Sequence, residues 1–149
     1  MFRVGKRILG AFMAIGFALP AVVIASPAED AMLAEINDAR REQGVPALRE
    51  SPLLSDSASS YSRYMIARDF FGHLSSIRTS GKFTLKGEIL AWHSGDNARV
   101  GSTLRSWMSS SAHRAVLLHP KMRLAGAGLA RGRLGGRDAT VWTIHFGRP

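Results

Sequence analysis

The sequence predicts an α+β domain in which helices come first and a small β layer closes the chain. Three observations carry that expectation. Apolar residues recur at helical spacing through two segments that each open on Ser-Pro, at Ser26-Pro27 and Ser51-Pro52. Near the end, a Gly- and Arg-rich turn, Arg131 to Arg137, separates two apolar runs of strand length, as a hairpin requires. No regular alternation of strands and helices is visible, which argues against a parallel doubly wound sheet.

The elements follow in order. Ser26-Pro27-Ala28-Glu29 has the form of a capping box with Pro at the first helical position, and Met32, Ile36 and Ala39 then share a face. That helix runs to about Gln43, where Gly44 supplies the stop and Pro46 prevents continuation. Leu54, Ala58, Tyr61 and Met65 line a second helix that leads into Asp69-Phe70-Phe71-Gly72. Residues 74 to 86 lack sustained periodicity and read as a loop before a short apolar segment, Glu88 to Trp92. Asp96 or Asn97 is placed to cap a third helix with Val100, Leu104, Trp107 and Met108 on its buried stripe. A short helix around His113 to Leu118 stops at Pro120. Leu124 to Ala130 and Val141 to Phe146 form the hairpin. Gly126 and Gly128 occupy alternate positions of its first strand, where missing side chains admit another backbone. Alternation puts Val141, Thr143 and His145 on one face of the last strand and Trp142, Ile144 and Phe146 on the other.

Residues 1–25 read as a secretory signal peptide: Arg3, Lys6 and Arg7 precede an apolar run from Ile8 to Ala25, and small residues suit cleavage after Ala25 or Ala28. The run is short for a retained span, so the processed chain is expected not to be an integral membrane protein but a periplasmic or extracellular one. Residues 26–149 then form a single domain with one core. There is no cysteine, which excludes disulfides, thiolate metal sites and a lipidated N-terminal Cys. The chain carries a net charge of +9, and losing the three cations of residues 1–25 leaves +6. These cations are scattered, with no recognition helix or interleaved stacking aromatics, so nucleic acid is not an expected partner. Anionic envelope polymers, lipid headgroups or a partner protein suit an exported basic surface better, and a solvated surface without a dedicated partner accounts for the charge equally simply.

The common catalytic signatures are missing: no phosphate-binding Gly loop, no His-Glu-x-x-His pair and no Gly-x-Ser-x-Gly elbow. Histidine remains. His73 follows Phe70-Phe71-Gly72, His113 precedes Arg114, and Glu88 opens an apolar segment where an unpaired carboxylate is costly to bury. Their spacing matches no local ligand motif, and capping or core hydrogen bonds explain such residues as well as metal binding does. His145 reads as a half-buried structural residue, and His93 and His119 as surface or turn residues. The three tryptophans read as core before they read as a ligand platform. Ser109 to Ser111 beside His113 lack an orienting third group for serine hydrolysis.

Phe70-Phe71-Gly72-His73-Leu74-Ser75, Gly87-Glu88-Ile89-Leu90-Ala91, Trp107 through Arg114, Gly126-Ala127-Gly128 and Val141 through Gly147 stand in the order found in the CAP superfamily, also called SCP-like proteins. The chain resembles its bacterial, cysteine-free branch over nearly all of residues 26–149. The resemblance implies a three-layer α-β-α sandwich with a central antiparallel sheet. It also implies a cleft that in many members holds two histidines and two glutamates and binds divalent metal, commonly zinc. His73 and His113 match the histidines and Glu88 the first glutamate; Ser110 stands where the second would be, and Ile89 replaces the usual Asn. Two imidazoles and one carboxylate can hold Zn²⁺ weakly, with water in the fourth position. The cleft so implied comprises His73, Glu88, Ser110, His113 and Arg114. An exported binding module for a lipid, an envelope polymer or a protein is the function expected, since the catalytic equipment is incomplete. A hydrolase of peptidase type, with Glu88 as general base and zinc as its possible metal, is the first alternative. A structural envelope protein with a relic cleft is the second.

Overall fold

The structure is a computed structural model and describes residues 26–149; the signal-peptide reading of residues 1–25 lies outside the described residues. The first helix, α1 (Pro27–Glu42), is followed by the two-residue strand β1 (Arg49–Glu50) and by α2 (Pro52–Ala67). After a long loop come β2 (Leu85–Ser94), α3 (Val100–Ser109), α4 (Ser111–Leu117), β3 (Leu124–Leu134) and β4 (Arg137–Arg148). The sheet order is β1-β3-β4-β2. Its three long strands are antiparallel, and β1 adds a short parallel pairing to β3, so the sheet is mixed.

The two central strands, β3 and β4, are buried on both faces, and this makes the layers. On one face Ile89, Ala127, Trp142, Ile144 and Phe146 join Met32, Ile36, Leu104, Trp107 and Leu117 from α1, α3 and α4. On the other, Leu90, Leu134, Ala139 and Val141 pack with Met65 of α2. Removing these side chains from water is the main stabilising term of a chain that has no cross-links. The expected alternation of β4 holds, with both its faces covered.

The helix starts are built as the Ser-Pro signals require. Glu29 reaches back to the Ser26 amide at 2.7 Å, and its other oxygen accepts from the Leu129 amide of β3 at 2.9 Å. One buried carboxylate thus caps α1 and fixes it to the sheet where β1 has ended. Gly126 and Gly128 face α2, and a Cβ on either would lie inside the backbone of Ser55 or Ala58. Arg40 of α1 is fully buried without a carboxylate partner; it donates to the carbonyls of Pro46 at 2.9 Å and Leu117 at 2.6 Å. Burial first, and then the charge of Arg123, hold its pKa below the usual arginine range.

Three local expectations are corrected. The apolar segment at Glu88 is a ten-residue strand, because pairing to β4 continues outward through His93 and Ser94, well past the apolar stretch. The residue that starts α3 is Arg99 in a left-handed conformation; Asn97 instead accepts the Arg99 amide at 2.9 Å and shapes the turn before it. Trp107 and Trp142 are core residues bonded to the Leu90 and Ala98 carbonyls, whereas Trp92 is 42% exposed.

Candidate functional site

The site forms on the α2 side of the sheet, where β2 and β4 bring Glu88 opposite His145. His145 Nε2 lies 2.7 Å from Glu88 Oε2, and His73 Nδ1, from the loop after α2, lies 2.6 Å from Glu88 Oε1. On the far side of the His145 ring, Nδ1 lies 2.9 Å from Ser57 Oγ on α2. Tyr61, one helical turn after Ser57, stacks on His145 with ring centroids 6.2 Å apart. Its hydroxyl donates to the Gly72 carbonyl, which ties the His73 loop to α2.

Burial differs along this chain of groups. The side chains of His145 and Glu88 are 2% and 9% exposed, that of His73 56%. A carboxylate this deep requires partners, and the two imidazoles supply them. Burial, followed by the charge of Glu88, raises the pKa of Tyr61 above the usual tyrosine value, so its phenol stays protonated. Above these groups a cavity of about 260 Å³ is lined by the apolar faces of Tyr61, Tyr64, Leu74 and Ile77 and by Arg78.

The structure joins two of the five residues expected in the cleft, His73 and Glu88. Ser110, His113 and Arg114 form a separate local group at the start of α4. His113 Nδ1 meets Ser110 Oγ at 2.8 Å, and Arg114 donates to the Met108 carbonyl at 2.8 Å. The helix itself packs through Leu117 into the core on the opposite face of the sheet. His113 lines neither cavity that reaches Glu88. Among the described residues no group of three or more His, Asp or Glu side chains is placed to hold a metal ion. The expected zinc set of His73, Glu88 and His113 is not brought together in this structure: Glu88 meets His73 and His145, and His113 meets Ser110.

Sequence reasoning missed Ser57 and His145. His145 is buried at the centre of the site and was expected to be half-buried and structural. A titratable residue inside an otherwise apolar final strand was the available signal. Its partner could be named only with the register of β2 against β4.

The family model of the cysteine-rich secretory protein family, CAP, matches residues 33–146. No curated protein matches the chain. Among solved structures, an outer surface protein from Borrelia burgdorferi is similar with a TM-score of 0.65 at 19% identity, over 81% of this chain and 92% of that one. An extracellular protein containing an SCP domain from Bacillus anthracis has a TM-score of 0.62 at 22% identity, over 82% of this chain and 40% of its own. NaASP2 with Zn²⁺ has a TM-score of 0.62 at 10% identity, over 82% of this chain and 80% of its own. At these identities the likeness is one of fold.

Proposed function

Because the chain belongs to the CAP, or cysteine-rich secretory protein, family, we propose that it is an exported binding module that takes an apolar arm of an amphiphilic molecule into the cleft above Glu88. The cleft's lining carries this reading: Tyr61, Tyr64, Leu74 and Ile77 offer an apolar wall, while Arg78, Ser57 and the Glu88–His145 pair stand as polar groups beside it. Concave apolar sites with a few placed polar groups are the common form of a small-ligand site. At about 260 Å³ the cavity suits one acyl-sized arm, with the rest of the molecule outside. Arg78 gives an anionic headgroup a counter-charge at the rim. The basic, apolar and small-residue pattern of residues 1–25 supports export, and among the described residues no helix is long and apolar enough to cross a membrane.

The test is titration with a fluorescent fatty-acid analogue, followed by emission. Saturable micromolar binding is expected, weakened at least about tenfold by Ile77→Glu, since a carboxylate would then be desolvated against the ligand. Absence of saturable binding, or equal binding by the Ile77→Glu protein, would overturn this function.

A further inference from the structure

We infer that Ser57, His145 and Glu88 form a nucleophile, a base and an orienting carboxylate, so that the cleft also cleaves carboxylic esters by acyl transfer to Ser57. This rests on the cleft reading above for access of the substrate, and on an independent observation for the chemistry, the line of contacts Ser57–His145–Glu88.

The proton positions follow from what each group can donate. An ionised carboxylate only accepts, so His145 must present Nε2–H to Glu88 across the 2.7 Å contact. A neutral imidazole carries one N–H, which leaves the lone pair on Nδ1, 2.9 Å from Ser57 Oγ. The hydroxyl then points its proton at that lone pair, which is the arrangement that activates a serine. Ser57 Oγ also donates to the Arg78 carbonyl, so its one proton is shared between that oxygen and His145 Nδ1, and activation requires it to turn to the imidazole. His73 completes the orientation. By donating to the second oxygen of Glu88 it stops the carboxylate from rotating. Tyr61, stacked on His145, fixes the ring plane.

The constellation opens on the cavity, since Ser57, Glu88 and His145 all line it. An ester with its acyl chain along Tyr61, Leu74 and Ile77 presents its carbonyl carbon to Ser57 Oγ. Attack forms the O–C bond as the hydroxyl proton passes to His145 Nδ1, and the carbonyl π electrons move to oxygen. The guanidinium of Arg78, which has no acidic partner among the described residues, is the cation lining the cavity that meets this charge. Collapse restores the carbonyl, and the alcohol leaves with the proton from His145. Water then repeats the sequence on the acyl-serine, releasing the carboxylic acid and regenerating Ser57. No metal or redox partner enters either half-reaction.

The experiment uses the purified protein, a fluorophosphonate probe read by intact mass and peptide mapping, and p-nitrophenyl octanoate hydrolysis. A single adduct on Ser57 is expected, absent in Ser57→Ala and in His145→Asn. Ester turnover is expected to fall to background in Ser57→Ala and on the order of 10³-fold in Glu88→Gln, which offers the imidazole an amide and disturbs its tautomer. The chain has no cysteine, so Ser57→Cys places one thiol in the site. That thiol should react with iodoacetamide faster than the same thiol paired with His145→Asn, a difference that a merely structural hydrogen bond does not produce. Saturable fatty-acid analogue binding with neither adduct nor turnover above Ser57→Ala would overturn the triad and leave the cleft function standing. Loss of both binding and labelling in the folded protein would overturn the two together.

Discussion

Arg40 and Tyr61 show how single polar side chains are held inside this small domain. The guanidinium of Arg40 has only carbonyl partners, so its removal takes the donor from the Leu117 oxygen inside the core and from the Pro46 oxygen nearer the surface. Arg40→Met, which keeps much of the volume, is expected to cost about 3 kcal/mol, read as a lower urea midpoint at unchanged slope. Tyr61 makes a pH prediction. Its pKa is raised in the folded state, chiefly by burial and then by Glu88, while the unfolded value is about 10. Its contribution is fully present below that value and is lost as pH rises toward the higher folded pKa, because the unfolded chain ionises first. Tyr61→Phe should therefore flatten the fall in stability above about pH 10, measured by denaturation at a series of pH values.

At the scale of elements, the Ser-Pro starts, Gly44, the Gly126/Gly128 pair and the alternation of β4 were legible because each is a local rule of backbone geometry. Gly128 makes the rule measurable: its α2 face meets the backbone of Ala58 and Ser59, which cannot move aside as a flexible side chain would. Gly128→Ala should push α2 off the sheet and destabilise by about 3 kcal/mol, visible as a fall in Tm. The start of α1 bears on processing, because Glu29 binds the Ser26 amide. A chain beginning at Ser26 should be about 1 kcal/mol more stable than one beginning at Glu29. If the chain is exported as proposed, N-terminal sequencing of the processed protein is expected to find Ser26. What stayed illegible was the length of β2 and the start of α3. The strand depends on long-range pairing to β4, which no short window displays, and the helix starts on Arg99 in a left-handed conformation that an Arg side chain rarely adopts.

Across the whole molecule, the site's composition is decided by which face of the sheet each residue takes. Glu88 was legible as a carboxylate needing partners, and His73 as one of them. The second partner was not, because His113 and His145 offer the same chemistry and only the strand register sets His145 across from Glu88. His145 sits across from Glu88 in the β2–β4 register, on the α2 side, while α4 packs Leu117 against the other face and binds His113 to Ser110. A zinc ion drawing on His73, Glu88 and His113 would have to free Glu88 from His145 and His113 from Ser110 at once. It would leave the buried His145 without its carboxylate. Calorimetric titration of the metal-stripped protein with zinc is therefore expected to show no micromolar site that His73→Ala and His113→Ala both abolish. His145→Asn should disturb the cleft where His113→Ala does not, read as altered fatty-acid analogue affinity. Micromolar zinc binding lost in both alanine variants would mean that the two histidines meet around Glu88 in solution. The α2-side network centred on His145 would then not be the resting arrangement of the site.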